Sequence, residues 1–222
     1  MKKGLVILAA AAGVIVLALC LTYANRASIV QKAIQKQVEH LTGTRVEVSI
    51  PNVDKGLKIV NVSSLKIMNP QGYKNPVLAE LEDVHLNCNW LGILAGQGVQ
   101  CDKVQGKLSA VYLERHQPQG FNLKDLKVFS EEDLNQPSQQ KSFHIARYEL
   151  SFARAEIHEY VTGQAEAQTT EIDLGSRVEV YSQISDPAVL IYAPALRIIP
   201  EFKRGNMGIP RSLLQKKIAK AG

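Results

Sequence analysis

The chain lacks the clustered positive charge that nucleic-acid binding requires. Lysine and arginine number 26 against 21 aspartate and glutamate residues, a net charge of +5, but no run of five basic residues occurs. Nucleic-acid sites usually show a basic stripe, often with interleaved aromatic side chains, and no such stripe is present. We therefore predict no nucleic-acid partner. The dispersed charge is compatible with a mild attraction to anionic lipid headgroups.

Motifs that mark common enzyme sites are also missing. The sequence contains no nucleophile elbow, no glycine-rich phosphate loop and no His-Glu-x-x-His run. The acids Glu131, Glu132 and Asp133 are adjacent, but they lie in a polar stretch typical of a solvated loop. We expect a protein that is not an enzyme and that uses no cofactor.

Only three cysteines are present, too few to make a zinc site by themselves. His85 and Cys88 have opposite parity on one predicted strand, so their side chains point to opposite faces, and we predict no metal. Cys88 and Cys101 would lie opposite each other if segments 77–90 and 99–113 form a hairpin. Two readings remain open for this pair, a disulfide or two buried free thiols.

The longest uncharged segment is the apolar run 4–21, which follows Met1-Lys2-Lys3. As a helix its eighteen residues span ~27 Å, close to the ~30 Å of a bilayer core. Its length favours an uncleaved anchor with the N-terminus in the cytoplasm over a cleaved signal peptide, whose apolar region is shorter. Lipidation at Cys20 is a third reading, disfavoured by the large Leu19 before it.

An amphipathic helix is predicted directly after this segment. Ser28 is a suitable N-cap, and Thr42-Gly43 ends the pattern. The apolar stripe consists of Ile29, Val30, Ala33, Ile34, Val38 and Leu41. We expect this helix to cover the apolar end of a sheet; lying along the membrane surface is the alternative.

Strand-like alternation then dominates the chain. It occurs in segments 46–50, 57–67, 78–90, 99–112, 143–157, 168–174, 177–183 and 189–199. A shift of parity near Asn61 to Ser64 suggests a bulge or a tight turn. One helical turn is expected within Leu91 to Gly98, a short helix at Asn122 to Phe129, and a basic amphipathic helix at Pro210 to Ala221.

The predicted fold class is mainly β, with one N-terminal transmembrane helix followed by a curved antiparallel sheet and an amphipathic helix at each end. The predicted organisation has four parts. These are a cytoplasmic stub and anchor (1–27), a helix and sheet (28–129), a polar linker (130–142), and further strands with the basic C-terminal helix (143–222).

The order of several short motifs within residues 28–126 resembles the N-terminal part of AsmA-like proteins. These motifs, after the anchor and helix, are Gly56-Leu57-Lys58-Ile59, Asn69-Pro70-Gln71-Gly72-Tyr73, Leu78 to Val84, Trp90-Leu91-Gly92-Ile93-Leu94-Ala95-Gly96 and Asn122-Leu123-Lys124-Asp125-Leu126. The Asn-Pro-x-Gly-Tyr turn and the closing Asn-Leu-x-x-Leu are typical of that family.

The resemblance implies a single-pass protein of the bacterial inner membrane with its body in the periplasm. It also implies a role in phospholipid transport or outer-membrane assembly, with phospholipid and other envelope proteins as partners. The apolar face of the sheet would form a groove for acyl chains, although alternation alone cannot distinguish a groove from a filled core. The groove candidates are Val84, Leu86, Trp90, Val99, Leu108, Tyr112, Tyr148, Leu150 and Phe152.

The chain is much shorter than the bridge-forming members of that family. About nine or ten strands at ~4.8 Å spacing give only ~45 Å of sheet, which is too short to cross an envelope. The alternative function is therefore a structural or adaptor subunit of a membrane-spanning secretion or pilus-type assembly, which would use open sheet edges for protein contacts.

Overall fold

The computed structural model describes residues 25–50, 52–54, 56–116, 120–127, 142–160, 166–175, 178–187 and 189–191. Within these residues the fold is mainly β, a nine-stranded mixed sheet with three helices, and the sheet is not closed. The predicted anchor at 4–21, all of the predicted linker 130–142 except Ser142, and the predicted C-terminal helix lie outside the described residues.

The longer strands and the helices follow the predicted order along the chain, whereas the two-residue strands β2 and β6 were not predicted. The strands are β1 (Val46–Ser49), β2 (Asn52–Val53), β3 (Ile59–Met68), β4 (Val77–Cys88), β5 (Val99–His116), β6 (Gly120–Phe121), β7 (Phe143–Tyr160), β8 (Gln168–Asp173) and β9 (Val178–Ile184). The helices are α1 (Arg26–Thr42), α2 (Trp90–Leu94) and a short 3₁₀ helix (Asn122–Asp125).

Helix α1 begins three residues earlier than its sequence signal suggests. Ser28 is not the N-cap; Asn25 occupies that position without a side-chain capping bond. The predicted stop is confirmed, because Gly43 has φ 73° and its N–H donates to the Glu39 carbonyl. A left-handed residue at this position is readily provided by glycine, which has no Cβ to clash.

The expectation of a purely antiparallel sheet is wrong at its centre. Strand order is β1-β3-β4-β5-β7-β8, with β2 on β3, β6 on β5 and β9 on β7. The neighbours β5 and β7 are parallel over fifteen residue pairs, from Val99 opposite Phe143 to His116 opposite Tyr160. A parallel pair needs a long crossover rather than a tight turn, and the chain between these strands includes the long polar stretch.

The parity shift predicted near Asn61 to Ser64 exists, but β3 has neither a turn nor a break there. Val62 pairs with Val84 and Ser64 pairs with Glu82, so the register is the same on both sides. The irregularity lies on β4, where Asp83 has φ 50° and the pairing with β5 shifts. A residue in left-handed conformation is typical of a bulge that re-aims the following side chains.

The predicted strand at 189–199 is wrong in its first part. Residues 189–191 are helical, and the Val189 and Leu190 N–H groups donate to the carbonyls of Asp186 and Pro187. The apolar run was read as a strand because a short continuous run does not distinguish a buried helix from a buried strand. Residues 192–199 lie outside the described part of the chain.

A fully buried carboxylate joins the Asn69 to Tyr73 turn to the sheet. Glu114 on β5 has no exposed surface, and its oxygens accept the backbone N–H groups of Lys74 and Asn75. Its Oε2 also lies 3.3 Å from Nε2 of His116. A buried carboxylate is tolerated only when such donors replace water.

The Asn69 to Tyr73 turn and the Asn122 to Leu126 motif meet beside this carboxylate. The Asn122 amide donates to Oδ1 of Asn69 at 2.7 Å and to the Tyr112 carbonyl at 3.0 Å. The Tyr73 hydroxyl donates to the Asp125 carboxylate, and burial and this acceptor raise the pKa of Tyr73 above its ordinary value. The motifs therefore form one polar joint at the end of the sheet away from α2.

We predict that replacing the fully buried Glu114 with Ala lowers the free energy of unfolding by about 1–3 kcal/mol, because two partly buried N–H groups lose their acceptor. The E114Q variant keeps one oxygen acceptor and should lose less. The measurement is denaturant unfolding of each variant. Glu171→Ala, at an exposed salt bridge, is the control and should change stability by less than about 0.5 kcal/mol. Equal stability of E114A and E171A would contradict the proposed joint.

Candidate functional site

An apolar cavity of about 530 Å³ lies between the sheet and α1. This volume is within the ~300–1,000 Å³ of typical ligand pockets. Its wall includes Ala33, Ile34, Val38 and Leu41 of α1, Val62, Leu65 and Ile67 of β3, Leu78, Leu81, Val84 and Leu86 of β4, Val104, Gly106, Leu108, Val111 and Leu113 of β5, and Ile145, Tyr148 and Leu150 of β7.

Seven of the nine groove candidates lie on this wall. They are Val84, Leu86, Trp90, Val99, Leu108, Tyr148 and Leu150. Tyr112 and Phe152 are not among the described wall residues. Phe152 is buried in the apolar core beside Leu108, to which it is paired across the parallel strands. Tyr112 is only half-buried.

A bulge in β5 explains why Tyr112 was wrongly placed in the groove. Leu81 pairs with Leu108, but Glu80 pairs with Ala110, so Ser109 is an extra residue on β5. The Ser109 hydroxyl donates to the Glu80 carbonyl at this point. One extra residue switches the parity that faces the cavity, so Val111 and Leu113 line it.

Cys88 and Cys101 occupy the wall at the α2 end of the sheet. They are partners in the β4–β5 register and form a disulfide, with Sγ atoms 2.04 Å apart. The bond encloses α2 and the turn that follows it. Asn89 precedes α2, and its side chain accepts the Gly92 N–H at 3.1 Å.

The wall carries almost no charge. Among its described residues none is Asp, Glu, Lys or Arg, and the titratable side chains are His40 and Tyr148. Burial, with a smaller contribution from Tyr181, raises the pKa of Tyr148 well above its ordinary value, so its phenol stays neutral. The exposed polar wall residues are Gln37, His40 and Gln105. Such a wall can shield an apolar ligand from water, and it has few groups that could bind a charged ligand.

Sequence reasoning missed the contributions of α1, Gly106, Pro187, Leu190 and Ile191 to the wall. The apolar stripe of α1 was visible, but it was interpreted as a lid on a sheet rather than as one side of a cavity. Gly106 lies between Val104 and Leu108 on the inward side, where an added Cβ would be 3.3 Å from Cγ2 of Val84. Pro187, Leu190 and Ile191 reach the wall only through the tertiary fold.

No protein-family model, curated protein or solved structure matches this chain. In the part of the chain that the structure describes, no helix is long and apolar enough to cross a membrane. The predicted anchor at 4–21 lies outside that part. The resemblance to AsmA-like proteins therefore stays a prediction from the motifs.

Reduction of the disulfide should lower the free energy of unfolding by about 3 kcal/mol, because the bond spans 13 residues and restricts the unfolded chain. Unfolding of the oxidised protein with and without reductant measures this loss. The C88A/C101A double variant serves as the control, since its stability should not respond to reductant. An oxidised protein that unfolds identically under both conditions would refute the expectation.

Proposed function

We propose that this chain binds the acyl part of a lipid in the apolar cavity, without chemical conversion. It would act as an inner-membrane-anchored, AsmA-like periplasmic protein in phospholipid transport or in outer-membrane assembly and homeostasis. The observation that carries the proposal is the cavity of about 530 Å³, whose described wall has no Asp, Glu, Lys or Arg.

The physical reason is the cost of holding hydrocarbon in water. Each methylene group moved from water to an apolar wall gains about 0.8 kcal/mol. The wall is made of aliphatic side chains from α1 and four strands, and it offers few hydrogen-bonding groups. Affinity from such a wall depends on the length of the chain that is buried rather than on the identity of the headgroup, and no catalytic step is needed.

The cellular setting comes from the sequence. The apolar segment 4–21 would hold the chain in a membrane, and the order of the family-typical motifs supports an AsmA-like protein. The polar joint between Asn69, Glu114 and Asn122 gives these motifs a shared structural role, because each contributes to one hydrogen-bonded cluster. The disulfide supports an oxidising compartment such as the periplasm.

A structural or adaptor subunit of a membrane-spanning assembly is the second candidate. It is favoured by β9, which pairs only with β7 among the described strands and exposes Val178 and Val180. An edge strand with exposed apolar side chains can accept a strand from another protein. Protein partners that remain bound to a lipid-free chain would favour this candidate.

Replacing Ala33 with Phe should reduce bound lipid several-fold, because the new ring occupies the cavity from the α1 side. The measurement is native mass spectrometry of the full chain extracted in mild detergent, with the number of bound phospholipids per protein as the readout. The matched control is Ser28→Phe, which places the same ring at an exposed position of the same helix.

The wild type and S28F should retain phospholipid to the same extent. Unfolding curves of both variants should show that each is folded, since the helix-propensity cost of Phe is below about 1 kcal/mol at either position. A wild-type chain without lipid, or an A33F variant that retains it fully, would overturn the proposal.

A further inference from the structure

Most of the exposed large apolar side chains gather at one end of the sheet. Six such residues are exposed in the described chain, and two of them, Val178 and Val180, lie on β9. The other four are Ile29 (38% exposed), Ile59 (47%), Leu91 (64%) and Leu94 (42%). We call these four residues the apolar tip.

Strand register places three members of the apolar tip together. Ile59 begins β3 and pairs with Asn87, near the end of β4. The Cys88 N–H donates to the Lys58 carbonyl, and α2 begins two residues later. Leu91 and Leu94 are three residues apart on α2, so they lie on the same side of that helix.

The start of α1 reaches the same end of the sheet. The Gln31 amide donates to the Val48 carbonyl, whereas Glu39 accepts the Val46 N–H, so α1 runs antiparallel to β1. Its first turn is therefore on the side of β2 and of the Asp54 loop. The pKa of Asp54 is lowered mainly by the backbone N–H groups that its carboxylate accepts, first of all that of Ile59. Arg26 is close enough to lower this pKa further by a smaller amount.

The chain outside the described residues indicates what covers the apolar tip. The uncharged run 4–21 ends only four residues before Asn25, where the described chain begins. If that run spans a bilayer, four residues at ~3.3–3.6 Å each place α1 within ~15 Å of the membrane surface. Because Ile29 is in the first turn of α1, the apolar tip faces the same surface.

We propose that the apolar tip docks on the lipid bilayer in which the chain is anchored. Exposed leucines and isoleucines gain by entering the boundary between headgroups and acyl chains, ~5–10 Å deep. Exposed Lys58 flanks the tip and suits anionic headgroups. The nearby Asp54 carboxylate accepts three backbone N–H groups, from Gly56, Lys58 and Ile59, which spread its charge.

This docking would bring the bilayer to one end of the cavity. Trp90 and Ile93 of α2 lie on the cavity wall, and Leu91 and Leu94 of the same helix face outward. A lipid leaving the bilayer would thus meet the cavity beside α2. This second step rests on the proposed lipid binding, whereas the docking itself does not.

The test uses Trp90, the one tryptophan of the chain, as a built-in probe. The full chain is reconstituted in phosphatidylcholine and phosphatidylglycerol vesicles, in which part of the lipid carries bromine near the headgroup end of its acyl chains. Bromine quenches tryptophan fluorescence only at short range. We expect quenching in the wild type, and weaker quenching when the bromine is near the methyl end.

Three variants separate docking from occupation of the cavity. L91E/L94E should lose most of the quenching, whereas A33F, with its cavity filled, should retain it. V178E/V180E is the matched control, because it removes two equally exposed apolar side chains far from the tip and should also retain it. Unfolding curves establish that each variant is folded.

Quenching that persists in L91E/L94E would overturn the docking proposal. If L91E/L94E is quenched and A33F is not, the quenching comes from lipid in the cavity. The proposed function then survives, and the docking proposal fails. Absence of quenching in the wild type would also overturn the docking proposal. Protein partners that bind stably to the tip would in that case identify it as a protein interface. Lipid-free protein with normal quenching would leave docking intact and refute the proposed function.

Discussion

The parallel pairing of β5 and β7 is the constraint on which the rest of the structure depends. These two 18-residue strands share fifteen paired positions, and all other described strands attach to them directly or through β4 and β3. Because both strands begin at the α2 end, their inward residues align as one wall. The aligned pairs on the cavity are Val99 with Phe143, Cys101 with Ile145, Val104 with Tyr148 and Gly106 with Leu150.

Local irregularities decide which side chains of this sheet face inward. The bulge at Ser109 and the left-handed Asp83 each change the parity of a strand without ending it. A strand with strict alternation keeps one face throughout, so these two positions determine where the wall continues. They explain why Val111 and Leu113 line the cavity and Tyr112 does not.

The two ends of the sheet differ in chemistry. At one end the buried Glu114 accepts two backbone N–H groups, and the buried Asn122 amide donates to Asn69 and to the Tyr112 carbonyl. At the other end α2 exposes Leu91 and Leu94 beside the start of α1. Opening the polar joint costs free energy because buried polar groups lose their partners. Covering an exposed apolar helix lowers the free energy because apolar surface leaves water. This asymmetry gives the proposed lipid site a closed end and an end suited to a membrane.

Local signals in the sequence were enough to predict the order of the longer strands, the end of α1 at Gly43, the helical turn before β5 and seven of the nine groove candidates on the cavity wall. Those features follow from local periodicity and from the conformational freedom of glycine, which act within a few residues. The parallel β5–β7 pairing, the parity switch at Ser109 and the hydrogen bond from Asn122 to Asn69 are visible only in the folded chain. Each of these depends on partners far apart in the chain, and alternation has the same appearance whichever strand lies alongside.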